Sequence, residues 1–72
     1  MTFEEFINNI DHKFYTLSYK EHLRYGQHIM NELYSEWPEK YAQIIGSDID
    51  CFYDNGIIKL TLDALEKDWG KR

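Results

Sequence analysis

The sequence predicts an all-α fold, a compact small bundle of about four helices forming a single domain over residues 1–72. Three observations carry that expectation. Apolar residues recur at helical spacing in three separate segments. Two of those segments open on a capping-box pattern. Pro38 and Gly46 fall where a further short helix would start and stop.

The first helix is expected over residues 2–15. Thr2 with Glu5 matches T-x-x-E, and Phe3, Phe6, Ile7, Ile10 and Phe14 form one narrow stripe. A second helix is expected over residues 18–37, opened by Ser18 with Glu21. Tyr19, Leu23, Gly26, Met30, Leu33 and Trp37 make a heptad-like seam along it, too short for a coiled coil. A glycine within a helix costs about 1 kcal/mol against alanine, so Gly26 on the apolar seam suggests that another helix passes close there. Residues 38–45 read as a third helix with Tyr41, Ile44 and Ile45 pointing inward and Gly46 after its end. Residues 47–56 are the least regular stretch. Ile58, Leu62, Leu65 and Trp69 then mark a fourth helix, with Asp54 or Asn55 to cap it and Gly70 to end it. Helices 1, 2 and 4 are expected to make the core. The alternative for the last third is an α+β fold with a C-terminal hairpin at Asn55-Gly56, pairing residues 51–53 with 57–62. An isolated hairpin is marginal in water, and no third strand is apparent.

Composition narrows the function. Thirteen acidic residues against eight basic ones give a net charge of −5. Phosphate backbones are bound by clustered Lys and Arg, and the longest basic run here is Lys71-Arg72. Direct nucleic-acid binding and an acidic membrane surface are therefore disfavoured. No apolar run approaches the roughly 18 residues of a spanning helix, and the acidic N-terminal Met-Thr-Phe-Glu-Glu does not read as a secretory signal. Cys51 is the only cysteine, which precludes an internal disulfide and favours a reducing, cytoplasmic location. Aromatic residues make up 17% of the chain and offer a route to a stable core without crosslinks.

Within residues 24–55 the chain carries Arg24-x-Gly26-Gln27-x-x-x-Asn31-x-Leu33, then Pro38, then Gly46-Ser47-x-Ile49-Asp50-x-Phe52-Tyr53-Asp54. This stretch resembles a group of small bacterial and phage-borne proteins of unknown function. The resemblance implies a like fold and a cytoplasmic origin, and it implies no mechanism. Members of the group carry proline at the position of Cys51, so no thiol chemistry is implied either.

Four constellations need weighing. Lys20, Arg24, Gln27 and Asn31 fall within an arc of about 60° beside the helix 2 seam. They form either a partner-binding surface or a network pinning the acidic loop, with Arg24 meeting Asp50 or Asp54 bidentately and Gln27 and Asn31 bonding loop carbonyls. Asp48, Asp50 and Asp54 evoke a calcium loop, but Phe52, Tyr53 and Lys59 occupy positions that need an oxygen ligand, a glycine and a glutamate. No metal is expected, and solvated caps and turns are the default. His12, His22, His28 and Cys51 lack the close ligand pairing of structural zinc sites. No nucleophile with its base and no glycine-rich phosphate loop is apparent, so neither catalysis nor a cofactor is expected. Finally, Ile57, Leu60 and Ala64 lie well off the inward stripe of helix 4, so that helix is either sandwiched between others or meets a partner.

The expected function is a non-catalytic protein–protein interaction module, in particular a phage-type inhibitor of a host or defence protein. The alternatives are an acidic nucleic-acid mimic, or a small structural homodimer joined through helix 4. The candidate interaction surface comprises Arg24, Gln27, Asn31, Asp50, Phe52, Tyr53, Ile57, Leu60 and Ala64.

Overall fold

Thr2 and Glu5 start the first helix by capping each other. The Glu5 N–H donates to Thr2 Oγ1 at 3.1 Å, and the Thr2 N–H donates to Glu5 Oε1 at 2.9 Å. A computed structural model of the protein describes the backbone of residues 1–21 and 24–71, and the side chains of the same residues except 17–21. Four α-helices are described: α1 (Phe3–Glu21), α2 (Tyr25–Glu36), α3 (Pro38–Ile44) and α4 (Ile58–Trp69). A single 3-10 turn, Asn55–Ile57, leads into α4, and no strand occurs among the described residues.

The all-α expectation holds, and two expectations about the elements need correction. First, α1 does not stop near residue 15, and residue 18 lies inside it rather than opening a second helix. No glycine or proline interrupts residues 15–21. Thr16 donates to the His12 carbonyl at 2.7 Å, which accommodates its hydroxyl within the helix. Second, α2 begins only at Tyr25, where Gln27 Oε1 accepts the Arg24 N–H at 2.7 Å. The seam expected across residues 19–37 is therefore split. Gly26, Met30 and Leu33 are buried and Trp37 is half-buried, while the side chains of Tyr19, Lys20 and Leu23 lie outside the described residues. The alternative hairpin at Asn55-Gly56 does not form. Asp54 caps the 3-10 turn by accepting the Gly56 N–H at 2.8 Å, and this runs the chain straight into α4.

The core is built by all four helices and the loop between α3 and α4. Phe6 and Ile10 of α1, Ile29, Met30 and Leu33 of α2, Ile44 of α3, Cys51 of the loop, and Leu65 and Trp69 of α4 are buried together. The expected trio of α1, α2 and α4 thus gains two further contributors. On α4 the fully buried line runs Thr61–Leu65–Trp69, with Ile58 and Leu62 only half-buried beside it. Trp69 is the hub. Its ring lies 4.8 Å from Phe6, 5.7 Å from Phe3 and 5.4 Å from Trp37, joining α1 and α4 to the junction of α2 and α3. Tilted and edge-on pairs of this kind add attraction beyond the area they bury. The Trp69 indole N–H donates to the Met1 carbonyl at 3.1 Å, so its polar edge is matched as well.

Polar pairs hold the helices in register at the periphery. The Tyr25 hydroxyl donates to Asp11 Oδ1 at 2.6 Å and Lys13 pairs with Glu32 at 2.5 Å, both tying α1 to α2. Lys40 pairs with Asp68 across α3 and α4, and its ammonium sits 5.6 Å from the Trp37 ring centre.

Replacing a fully buried leucine with alanine removes apolar contact and leaves a cavity. Leu33→Ala is expected to cost about 2–5 kcal/mol, read as a drop in urea midpoint at unchanged slope. A loss below this range would mean that α2 does not sit at the centre of the packing.

Candidate functional site

The chain leaves α3 through Gly46, whose φ of 78° is a left-handed conformation that favours glycine. The loop that follows is organised by its own aspartates. Asp50 Oδ2 accepts the Gly46 N–H at 2.8 Å and Oδ1 accepts the Phe52 N–H at 3.0 Å. One carboxylate thus bridges the two ends of a seven-residue curve of backbone, Gly46 to Phe52. From α4, the buried Thr61 hydroxyl donates to the Ile49 carbonyl at 2.5 Å.

Four contacts then pin the loop to the first turn of α2. The Gly26 N–H donates to Asn55 Oδ1 at 3.2 Å. The Cys51 thiol donates weakly to the Gly26 carbonyl at 3.6 Å. Arg24 Nη1 donates to the Tyr53 carbonyl at 3.2 Å. The Cys51 carbonyl also lies so close to Gly26 that a Cβ there would meet it at 2.1 Å. What approaches Gly26 is therefore loop backbone, where the sequence suggested another helix. The pinning network exists, but with different bonds. Arg24 takes a backbone carbonyl rather than Asp50 or Asp54, Gln27 caps its own helix, and Asn31 is exposed. Asp50 and Asp54 are turned instead toward loop N–H groups.

Held this way, the loop forms one wall of a groove of about 190 Å³ lined by Met30, Tyr41, Ile45, Asp50, Phe52 and Tyr53. Two of its lining residues face solvent, Tyr53 at 76% exposed and Ile45 at 50%, and Tyr34 on α2 is 62% exposed. Phe52 and Tyr53 meet edge-on at 4.7 Å, and Tyr34 meets Tyr41 edge-on at 5.0 Å, which stiffens both walls. Ile45 was expected to point into the core. It instead follows the end of α3 in an extended conformation, with ψ at 130°, and this turns its side chain outward.

The groove brings together three of the sequence-derived site residues, Asp50, Phe52 and Tyr53. Arg24 and Gln27 act behind it, through the loop and the α2 cap. Ile57, Leu60 and Ala64 do not line it. On α4, Leu60 is 58% exposed while Ile57 and Ala64 are half-buried. Met30, Tyr41, Ile45 and Tyr34 escaped the site reading because their apolar spacing looks the same as core spacing.

Two further groups are buried. Burial pushes the Cys51 thiol up, which favours its protonated form. His28 is buried edge-on to Phe14 at 5.6 Å, and its Nε2 has no hydrogen-bond partner among the described residues. No protein-family model matches the chain, and no curated protein or solved structure gives a significant match.

Two substitutions at glycine test the loop contact. Gly26→Ala gains about 1 kcal/mol of helix propensity but drives a methyl into a backbone carbonyl that has no rotamer to escape by. A net loss of about 3 kcal/mol is expected, the upper end of overpacking costs. Gly70→Ala, with nothing within 4 Å of the added atom, should leave the thermal midpoint unchanged or slightly higher. Equal effects at the two positions would refute the contact.

Stability should also fall in alkali. The folded thiol holds a proton that the unfolded chain releases above about pH 8.5. The contribution is therefore complete below that pH and is lost as pH rises through the higher folded value. Tyr25 acts in the same sense at higher pH, its hydroxyl raised first by burial and then by Asp11. Denaturation midpoints at rising pH should decline more steeply for the native chain than for Cys51→Ala. Parallel curves would mean that the thiol is not buried.

Proposed function

We propose that the protein is a non-catalytic binding module that holds a partner protein in the groove between α3 and the loop. The observation that carries this reading is the rim itself. Ile45 and Tyr53 are exposed around a preformed concavity, although a 72-residue chain has every reason to bury large side chains. Exposed apolar surface grouped around a concavity marks interaction sites, and tyrosine is enriched at their energetic centres. The volume is below the few hundred cubic ångströms of ordinary small-molecule clefts, which supports a side chain of a larger partner over a free metabolite.

The acids support the same choice over nucleic-acid mimicry. Mimicry needs free carboxylates along one face, and here Asp11, Glu32, Asp50, Asp54, Asp63 and Asp68 each accept a hydrogen bond from a neighbour. A protonated, buried Cys51 supports the absence of thiol catalysis. The resemblance to bacterial and phage-borne proteins makes a bacterial host or defence protein the class of partner we propose, inhibited by occupation of its surface. A homodimer through α4 has less to support it, since only Leu60 of the three residues on that face is exposed.

The test is capture from bacterial lysate with three tagged forms: the native chain, the double variant Ile45→Ser with Tyr53→Ala, and Leu60→Glu. The native chain and Leu60→Glu should retain the same protein, and the groove variant should lose it while keeping its helical circular dichroism. Loss with Leu60→Glu alone would move the site to α4. Unchanged capture by the groove variant would remove the groove from consideration.

A further inference from the structure

The groove has one feature that apolar docking alone does not use. Among its lining residues Asp50 is the only charged group, and it sits half-buried against Met30, Ile45 and three aromatic rings. Each Asp50 oxygen accepts one backbone N–H, Oδ2 from Gly46 and Oδ1 from Phe52. A carboxylate has about four lone-pair sites, so roughly half of its acceptor capacity remains while both oxygens are held in place. The nearby cation, Arg24, is bonded to the Tyr53 carbonyl and is not part of the lining. A fixed negative charge among aromatic faces attracts a planar cation. Guanidinium stacks on rings, donates to carboxylates, and is more weakly hydrated than ammonium.

We propose that the partner's docking segment inserts an arginine into this groove. Its stem lies along Ile45, and its guanidinium lies between the rings of Tyr41, Phe52 and Tyr53 and donates to Asp50. The net charge of −5 favours such a basic segment through longer-range attraction. This inference rests on the groove being the docking site.

The probe is a short capped peptide with one central arginine flanked by leucines, compared with the same peptide carrying citrulline, a neutral near-isostere. Both are titrated into the isotope-labelled full chain and followed by amide resonances. The arginine peptide should shift the amides of residues 45–53 and bind roughly tenfold more tightly than the citrulline peptide. The advantage should shrink with added salt. Asp50→Asn should abolish it. Because that change also touches the loop clamp, Tyr53→Leu, which removes a ring while keeping an apolar side chain, is the second variant and should reduce the arginine preference. Equal affinity for the two peptides, or shifts confined to α4, would overturn the arginine proposal. So would a failure of both peptides to bind. If lysate capture still depends on Ile45 and Tyr53 in that case, the groove stands as the docking site and only the arginine is wrong.

Discussion

The closeness of the Cys51 carbonyl to Gly26 is the contact on which the arrangement of the site depends. Only a residue without a side chain lets loop backbone lie directly on the first turn of α2. With the backbone seated there, the Gly26 N–H reaches Asn55, the thiol reaches the Gly26 carbonyl, and Arg24 reaches the Tyr53 carbonyl. None of these bonds is strong in isolation, since a net hydrogen bond contributes about 1 kcal/mol. Together they fix the course of a segment that has no regular secondary structure between α3 and the 3-10 turn. The direction of that segment decides that Phe52 and Tyr53 face Tyr41 across a groove.

The rest of the molecule supplies a rigid base for that loop. The aromatic group around Trp69 locks the N-terminal end of α1 to the C-terminal end of α4, with the turn between α2 and α3 contributing Trp37. The Lys40–Asp68 pair then attaches α3 to α4 from outside. Lys40 holds the Asp68 carboxyl below its ordinary range, so this attachment is complete above the usual carboxylate range and weakens as pH falls through the lowered value. Thr61 plays the complementary role on the loop side, a buried hydroxyl whose donor is matched by the Ile49 carbonyl. Buried polar groups of this kind favour one geometry because any other leaves them unpaired.

The helical architecture was legible in the sequence because it follows from local rules. The Thr2–Glu5 cap, the Phe6–Ile10 stripe, the Pro38 start, the left-handed Gly46 and the Ile58–Trp69 helix all depend on neighbours in the chain. The errors arose where a local pattern had an equally good non-local use. Ser18 with Glu21 has capping-box spacing, yet nothing prevents the same residues from continuing a helix. Asn55-Gly56 suits a hairpin or a capped 3-10 turn, and Asp54 decides between them. At the site, Asp50, Phe52 and Tyr53 were visible as an unusual cluster. Ile45 and Tyr41 were hidden because a spacing of four on a helix reads as core. Arg24 was recognised as a loop anchor, but its acceptor was not foreseeable, since only the folded loop shows which oxygens remain open.

The separation of the two aromatic groups has an optical consequence. Both tryptophans, Trp37 and Trp69, belong to the packed cluster, and neither lines the groove. The groove's own chromophores are Tyr41, Tyr53 and Phe52, with Tyr34 packed on Tyr41. Light absorbed selectively by tryptophan therefore reports assembly of the helices and is nearly blind to events at the loop. Tyrosine difference absorbance carries the loop's signal. One unlabelled sample contains two spectroscopic channels, one for whether the scaffold is intact and one for whether its groove is filled.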